Sequence, residues 1–316
     1  MEVLVSVIVI TYNSSQYILE TLESVKSQTY RNLELILSDD CSTDDTVDIC
    51  RRWLKYNNRR FKRSEILTVS SNTGISANLN RGLKSSKGLW IKYCAGDDIL
   101  SDQCIGTLLT YASNSKNAAK VVNGLQYIFT KPDKSDAFLK SQDDNLFYAD
   151  EISPHDQYEM LLRHNRVGNP PLISHEVFKN VGLFDEQIPL LEDYPFWLKI
   201  TNYGYKIYCS FKPVSYYRVT ENSVSGLLKK DRIILPIEEI LIGFQQKYII
   251  RKLPKIESIG MFNQIFVRRL IIKLGNNSKN RFLIYFYKLI KKTNPFSIYH
   301  RLLRIFGINY VYEKYL

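Results

Sequence analysis

The amino-acid sequence predicts an α/β fold in which helices flank a mostly parallel β-sheet. Four short apolar segments, rich in β-branched residues, alternate with segments whose apolar residues recur at helical spacing. Only a few residues join these segments, as in successive strand–helix–strand units. A further observation concerns charge, because the basic excess lies in the last third of the chain. We therefore expect an α/β domain followed by a basic segment of a different kind.

The predicted elements follow one another from the N-terminus. Residues 3–10 are apolar at almost every position, which is typical of a strand that is buried on both faces of a sheet. Three further strands are predicted at residues 33–37, 66–70 and 89–94. The intervening helices are predicted from Ile18, Leu22 and Val25, from Val47, Cys50 and Leu54, and from residues 77–83.

The pattern is weaker beyond residue 105. Residues 131–156 are polar and rich in turn-forming residues, so we expect a loop there. Residues 193–203 predict a helix, and residues 206–219 predict two short strands. From Lys229 onward the pattern is helical, with apolar residues interleaved among Lys and Arg.

The distribution of charge divides the 316 residues into two predicted domains. Residues 1–220 contain 25 Lys/Arg and 26 Asp/Glu, whereas residues 221–316 contain 18 Lys/Arg and 6 Asp/Glu, a net charge of +12. We expect a functional α/β domain over residues 1–220 and a basic helical C-terminal tail over residues 221–316.

Several classes of protein are disfavoured by composition. The five Cys are scattered and form no C-x-x-C pair, which indicates a reducing compartment and no structural zinc site. The N-terminus lacks the positive region of a signal peptide, and no apolar run reaches the length of a membrane span. We expect a cytoplasmic protein, with or without peripheral contact with the inner face of the cell membrane.

Polar side chains follow three of the predicted strands. Ligands of open parallel sheets bind beyond the carboxyl ends of the strands, so these residues carry the functional information. They are Thr11, Tyr12 and Asn13 after the first strand, Asp39 and Asp40 after the second, and Asp97 and Asp98 after the fourth.

The paired aspartates have two interpretations. Adjacent carboxylates after a buried strand are costly unless a counter-charge neutralises them, and Mg²⁺ takes one or two carboxylates together with substrate phosphates. Alternatively, each pair caps the N-terminus of a following helix, since Asp is a favoured cap. No G-x-G-x-x-G or P-loop follows the first strand, which disfavours a dinucleotide oxidoreductase.

Three blocks of the chain resemble the family 2 glycosyltransferases, which have the GT-A fold and invert the anomeric centre. Residues 5–46, residues 72–98 ending in Ala-Gly-Asp-Asp, and residues 182–204 containing Glu192 and Asp193 are similar to the family's N-terminal, metal-binding and acceptor blocks. Leu79 stands where the family often has an Arg before the Asn at position 80. The resemblance implies a GT-A-like sheet, a nucleotide-sugar donor, a divalent cation (Mg²⁺ or Mn²⁺), and a glycan or lipid-linked acceptor.

The resemblance also implies a role for each matching residue. Thr11, Tyr12 and Asn13 would line the nucleotide pocket, Asp40 would bind the base (typically uracil), Asp97 the ribose or sugar, and Asp98 the metal. Asp193 would be the general base, with Glu192 orienting it or binding the acceptor, although the pair followed by Pro195 also fits a helix start. Arg218, where the resemblance ends, would either reach the diphosphate or lie on the surface.

The role of the basic tail and the function of the protein each have alternatives at the level of sequence. The basic tail, with amphipathic pieces near residues 261–273, 281–292 and 299–306, would either dock on an anionic membrane surface or pack on the catalytic domain. Binding of nucleic acid is disfavoured, because the catalytic blocks are acidic and carry no such motif. The rivals of a glycosyltransferase of surface polysaccharide synthesis are a nucleotidyltransferase of nucleotide-sugar synthesis and a non-catalytic carbohydrate-binding module.

Overall fold

The structure is a computed structural model that describes residues 2–115, 118–139, 146–220 and 236–275, together with Tyr285 and Leu289. The chain divides into two compact units, Met1–Val219 and Thr220–Leu316. The first unit contains the sheet, and the described part of the second is helical.

The strands of the first unit are β1 (Val5–Thr11), β2 (Leu33–Asp39), β3 (Arg63–Leu67), β4 (Trp90–Ala95), β5 (Ile99–Leu100), β6 (Val121–Phe129), β7 (Phe138–Leu139), β8 (Leu172–Ser174) and β9 (Ile207–Arg218). Its helices are α1 (Ile18–Lys26), α2 (Thr46–Asn57), α3 (Ile75–Ser85), α4 (Cys104–Asn114), α5 (Pro154–Leu161), α6 (His175–Val181) and α7 (Asp193–Tyr203). Two helices of the second unit, α8 (Pro236–Phe244) and α9 (Lys255–Gly275), are separated by a π-helical turn and a short 3₁₀ turn.

The strands of the described residues form one sheet in the order β3-β2-β1-β4-β8-β6-β9-β5, with β7 paired to β6. The long ladders, those of β1 with β2 and β4, of β2 with β3, and of β6 with β9, are parallel. The antiparallel ladders join only two residue pairs each. The α/β fold with a mostly parallel sheet is therefore confirmed, although the sheet turns mixed beyond β4.

Helices cover both faces of the sheet. On one face, apolar residues of β1 and β2 pack with those of α1, α2 and α4 in a single buried core. On the other face α3 approaches β1 so closely that a Cβ at Gly82 would lie 2.5 Å from the Ile8 side chain. Strands covered on both sides are mostly apolar, which explains the sequence pattern of β1 and β2. The buried carboxylate of Glu34 in β2 is an exception, and it accepts a hydrogen bond from Ser6 and pairs with Arg63.

Some sequence predictions need correction in the second half of this unit. The segment predicted as two short strands is the single strand β9, which is bulged opposite Gly124. The interruption is local, since Phe211 has a φ of 52° and Pro213 follows it. The third strand begins three residues earlier than predicted, at Arg63. The predicted loop at residues 131–156 contains β7 and the start of α5, while residues 140–145 lie outside the described part.

In the second unit, α8 and α9 share a small apolar cluster of Ile242, Ile265, Val267 and Ile271. The amphipathic piece predicted near residues 261–273 lies within α9. Of the pieces near residues 281–292 and 299–306, all but Tyr285 and Leu289 lie outside the described residues. Across the part of the chain that is described, no helix combines the length and apolar character that a membrane span requires.

Candidate active site

Three strand ends meet at one edge of the sheet, as the sequence predicted. Thr11, the last residue of β1, is paired with Asp39, the last of β2, and its carbonyl accepts a hydrogen bond of 3.0 Å from the backbone N–H of Asp40. From the other side, the N–H of Gly96 after β4 donates to the carbonyl of Ile10 at 2.9 Å. The parallel register therefore brings the residues after β1, β2 and β4 to a common edge.

The Asp39–Asp40 pair is held by hydrogen bonds from the protein. Asp40 is 2% exposed and accepts from the N–H and hydroxyl of Thr73, the N–H of Gly74, and the guanidinium of Arg81 at 3.0 Å. Burial raises the pKa of the Asp40 carboxyl, but the hydrogen bonds from Thr73, Arg81 and Gly74 outweigh it and hold the pKa below its usual value. Its four donors match the roughly four lone-pair sites of a carboxylate.

Asp39 fixes the loop after β1 in a similar way. Its carboxylate accepts hydrogen bonds from the hydroxyl of Thr11 at 2.7 Å and from the N–H of Ser42 at 2.8 Å. Asn13 has a left-handed φ of 50°, which Asn tolerates, and its side-chain oxygen accepts from the N–H of Thr43. The ring of Tyr12 is left half exposed at the strand end. Of the three residues predicted to line a nucleotide pocket, Tyr12 and Asn13 are exposed and Thr11 is buried.

The Asp97–Asp98 pair has fewer protein donors. An oxygen of the Asp98 carboxylate accepts from the backbone N–H of Arg218 at 3.1 Å. Burial raises the pKa of both carboxyls, and for Asp98 the neighbouring Asp97 raises it further. The interpretation of this pair as a helix N-cap is wrong, because Ile99 and Leu100 form strand β5.

Arg218 is buried beside this pair, so its interpretation as a surface arginine is also wrong. Its guanidinium donates to the carbonyl of Asp97 at 3.0 Å and to the carboxylate of Glu20 at 2.8 Å. The rings of Tyr17 and Phe129 lie 4.6 Å from it. The arginine therefore ties β9 to the strand-end loop without contacting either carboxylate of the pair through its side chain.

The side chains present fit a divalent cation. Two adjacent carboxylates with raised pKa values lie at one strand end. The cationic residues whose charges act on them, Arg218 and Lys92, do not hydrogen-bond to them through their side chains. Within the described ranges no group of three or more His, Cys, Asp or Glu residues could hold a metal ion. A cation bound by Asp98 would therefore draw its remaining ligands from water and phosphate, as Mg²⁺ commonly does.

A third acidic pair, Glu192–Asp193, lies where α7 begins. Glu192 precedes the helix and Asp193 is its first residue, so the predicted helix start is confirmed. The Asp193 carboxylate accepts from the side-chain amide of Asn165 at 3.0 Å and from the N–H of Tyr194 at 2.6 Å. Burial raises the pKa of Asp193, and burial together with Asp193 raises the pKa of Glu192 to about 7. A carboxylate pair of this kind can take up a proton near neutral pH.

Tyr93 links this pair to the sheet. Its hydroxyl is buried and has no hydrogen-bond partner among the described residues, and burial with the charges of Glu192 and Asp193 raises its pKa. Its ring meets that of Phe184 edge-on at 5.6 Å. The two carboxylates therefore lie near the phenol of β4, four residues before Asp97.

Sequence reasoning missed Thr73, Arg81, Asn165 and Tyr93. The family often has an Arg directly before the Asn at position 80, but here that position is the buried Leu79. The arginine that contacts Asp40 is Arg81, directly after Asn80. Thr73, just before α3, and Arg81, within it, carry no local sign of their partner Asp40 after β2. Tyr93 resembles any core residue of a strand.

A polar cleft of about 830 Å³ lies elsewhere in the first unit. It runs along α4 and β9, with Thr107, Tyr111, Tyr208 and Lys212 among its lining residues. None of the site carboxylates after β2, β4 or before α7 lines it. The candidate active site is therefore an open edge of the sheet and is separate from this cleft.

The fold and the acidic pairs define a class of protein. The chain is similar in structure to TarS of S. aureus: over residues 1–349 of that protein the TM-score is 0.55 at 17% identity, covering 94% of this chain and 91% of that one. A TarS structure in complex with UDP-GlcNAc gives a TM-score of 0.54 at 18% identity, covering 85% and 73%. The fold is thus that of a GT-A type glycosyltransferase.

The match to the family described as Glycosyl transferase family 2 covers residues 6–174, and the chain belongs to that family. An uncharacterized glycosyltransferase of Haemophilus influenzae is 28% identical over 256 residues, 77% of each chain. The Escherichia coli protein named UDP-Glc:alpha-D-GlcNAc-diphosphoundecaprenol beta-1,3-glucosyltransferase WfaP is 29% identical over 234 residues, 73% of this chain and 83% of that protein. Glycosyltransferase GlyG of Streptococcus pneumoniae is 33% identical over 153 residues, 48% of each.

Proposed function

We propose that this glycosyltransferase transfers a hexosyl or N-acetylhexosaminyl group from a UDP-sugar to a hydroxyl of a glycan or lipid-linked acceptor, with inversion and with the help of a divalent cation. The observation that carries the proposal is the presence of two acidic pairs with raised pKa values in one unit, Asp97–Asp98 after β4 and Glu192–Asp193 before α7. Displacement of a diphosphate by a hydroxyl requires both a cationic partner for the leaving group and a base.

The donor side of the proposal places the nucleotide at the edge formed by β1, β2 and β4. Tyr12 offers an exposed ring for the base, and Thr11 and Asn13 hold the loop that carries it. Asp40 would receive the base, sharing a carboxylate that four protein donors already hold. Choice of a UDP-sugar is supported by the name of WfaP and by the TarS complexes with UDP-GlcNAc and UDP.

The diphosphate would lie against Asp97 and Asp98. Asp98 would bind the cation and Asp97 would contact the ribose or sugar. When bound, Mg²⁺ or Mn²⁺ offsets the negative charge that develops on the leaving diphosphate. Arg218 supports this end of the site by donating its backbone N–H to Asp98 and its guanidinium to the carbonyl of Asp97.

The acceptor side of the proposal rests on Asp193. Its carboxylate removes the proton of the acceptor hydroxyl as that oxygen bonds to the anomeric carbon, and the bond from this carbon to the diphosphate oxygen breaks on the opposite face. The nucleoside diphosphate leaves with the bonding electron pair, and the configuration is inverted. Asn165 and the N–H of Tyr194 hold the carboxylate in place, and Glu192 orients it or binds the acceptor.

The acceptor class and the pathway are part of the same proposal. The name of WfaP specifies a diphosphoundecaprenol-linked sugar as the acceptor of that enzyme. A similar lipid-linked glycan would place the present protein in the synthesis of a bacterial-type surface polysaccharide.

The proposal is tested by calorimetric binding of UDP, GDP, dTDP, CDP and ADP, each with and without Mn²⁺. We expect Mn²⁺-dependent binding of UDP to the wild type and at least a tenfold weaker affinity in Asp98→Ala. Asp102→Ala is the matched control, because Asp102 is an exposed aspartate four residues further on, hydrogen-bonded to Ser27. Equal binding by the two variants, or no binding of any nucleotide by folded wild type, would overturn the proposal.

A further inference from the structure

The second unit exposes an apolar surface on α9. Ile259, Phe262 and Phe266 are 60%, 56% and 57% exposed, and their spacing of three and four residues places them on one face of the helix. The apolar residues that α9 contributes to the core of its own unit, Ile265, Val267 and Ile271, are 3%, 5% and 0% exposed. The helix therefore has a second apolar face, which its own core does not use.

Cationic side chains stand at both ends of this exposed face. Lys255 lies four residues before Ile259, and Arg269 and Lys273 lie three and seven residues after Phe266, so helical spacing keeps all of them on the same side. Lys255, Arg269 and Lys273 are exposed. The only acidic residue of α9, Glu257, is buried at 9% exposure. The face thus presents apolar residues between positive charges, without an exposed carboxylate.

We propose that this face of α9, formed by Ile259, Phe262 and Phe266, inserts into the headgroup region of an anionic lipid bilayer. Helices that lie in a membrane interface bury an apolar face by about 5–10 Å and place basic residues against anionic headgroups. The segment that contains α9, residues 221–316, carries a net charge of +12, which adds long-range attraction to such a surface. Two more apolar residues of this segment, Tyr285 and Leu289, lie four residues apart and are 69% and 47% exposed.

Charge favours lipid over a second copy of this chain as the occupant. Pairing of two α9 faces, parallel or antiparallel, would bring Lys255, Arg269 and Lys273 of the two copies together without an exposed carboxylate of α9 to offset them. Like charges held close in a partly desolvated contact oppose association. Anionic headgroups supply the missing counter-charge.

The test is co-sedimentation of the full chain with vesicles of phosphatidylcholine and of phosphatidylcholine containing phosphatidylglycerol. We expect binding to the anionic vesicles, and at least a tenfold weaker partition for the double variant Phe262→Ser with Phe266→Ser. The matched control is Tyr56→Ser with Phe138→Ser, because these residues are 80% and 57% exposed on α2 and β7. The control should partition as the wild type does.

A second pair of variants tests the charges. Arg269→Gln with Lys273→Gln should weaken binding to the anionic vesicles by roughly fivefold per charge at low salt. Arg51→Gln with Lys55→Gln, which removes two charges from α2, is the control. In vesicles with brominated acyl chains, Phe262→Trp should show fluorescence quenching beyond that of the three native tryptophans, and Tyr56→Trp should not.

Equal partition of the two Phe/Tyr double variants, or no binding of the wild type to anionic vesicles, would overturn the inference. A concentration-dependent dimer in sedimentation velocity that is lost in Phe262→Ser with Phe266→Ser would instead assign the face to a second copy. The inference is independent of the proposed function, because the same double variant should bind UDP with wild-type affinity. Loss of vesicle binding and loss of nucleotide binding are therefore separate results.

Discussion

Two pairs of adjacent aspartates stand at the same edge of the sheet, and their surroundings differ. Asp40 of the first pair accepts four hydrogen bonds from the protein and has a lowered pKa. Asp98 of the second pair accepts one backbone hydrogen bond, and its pKa is raised well above the usual value. A carboxylate with four protein donors mainly holds its loop together, and a base bound at Asp40 would share it with those donors. The Asp98 carboxylate, with one protein donor, keeps most of its lone-pair sites for a ligand.

The Glu192–Asp193 pair extends this comparison. As for Asp98, desolvation raises the pKa of both carboxyls, although Glu192 and Asp193 are only half-buried, and no ion pair of either is found among the described residues. Unlike Asp98, Asp193 receives a side-chain amide and a helix N–H, two neutral donors that fix its direction. Neutral donors orient a carboxylate and leave its charge uncompensated, which is suitable for a base that must gain a proton.

The largest expected effect is on the acidic pair before α7. Asp193→Asn should lower kcat by about 10³-fold, since a general base contributes roughly 10²–10⁴. The affinity for UDP should stay within twofold of wild type, because the proposed nucleotide site lies at the strand ends, with the diphosphate against Asp97 and Asp98. The measurements are UDP release in the presence of acceptor, and calorimetry.

Asp185→Asn is the control for this substitution, since Asp185 is an exposed aspartate eight residues earlier that accepts from the N–H of Gln187. Its kcat should be that of the wild type. An equal loss in both variants, or a loss confined to UDP affinity in Asp193→Asn, would contradict the assignment of the base.

The sequence located both aspartate pairs but could not distinguish their roles. Both pairs have the same Asp-Asp pattern after an apolar strand, and both fitted a helix cap or a ligand site. What separates Asp40 from Asp98 is a set of donors that lie 33 to 41 residues away along the chain, on Thr73, Gly74 and Arg81. Only the packing of α3 against β2 brings them together, and no local pattern encodes that contact.

The fold shows the same limit. The strands β1, β2 and β4 could be predicted, because each contains a run of buried apolar residues, interrupted by Ser6, Glu34 and Lys92 respectively. The short strand β8 and the bulged strand β9 pair with β6, and those pairings join segments that lie about 50 to 90 residues apart. The start of α5 lies inside the segment predicted as a loop, although Ser153 and Asp156, which form a capping box around Pro154, are a local sign of a helix start.

A smaller effect is expected on stability, where substitution of Asp40 should cost more than substitution of Asp98. Asp40→Asn should lower the free energy of unfolding by about 2–3 kcal/mol, because it removes the charge that Arg81 and two backbone N–H groups share. Asp98→Asn should leave it unchanged or raise it, since a buried charge with one backbone donor is removed. Urea unfolding at pH 7 measures both.

The pH dependence of the Asp40 effect has a defined sign. The folded pKa of Asp40 lies below its usual 3.8, so its carboxylate stabilises the fold above that pH and the contribution is lost as the pH falls through the folded value. The difference between wild type and Asp40→Asn should therefore shrink below about pH 4. Equal destabilisation by Asp40→Asn and Asp98→Asn at pH 7 would remove the distinction between the pairs.

The smallest expected effect is a shift in the pH profile of catalysis. The pKa of Glu192 is raised to about 7 by burial and by Asp193, so the pair loses a shared proton near neutral pH, and activity should rise with pH through that range. Glu192→Gln removes the group whose pKa is about 7 and leaves Asp193, whose pKa is raised by burial, as the ionisable group of the pair. The acid limb of kcat/KM should then move to lower pH by about one unit, or about 1.4 kcal/mol. Glu186 is an exposed glutamate of the same loop, and Glu186→Gln should leave the acid limb of kcat/KM in place. An acid limb that stays near pH 7 in Glu192→Gln would assign that limb to a group outside the pair.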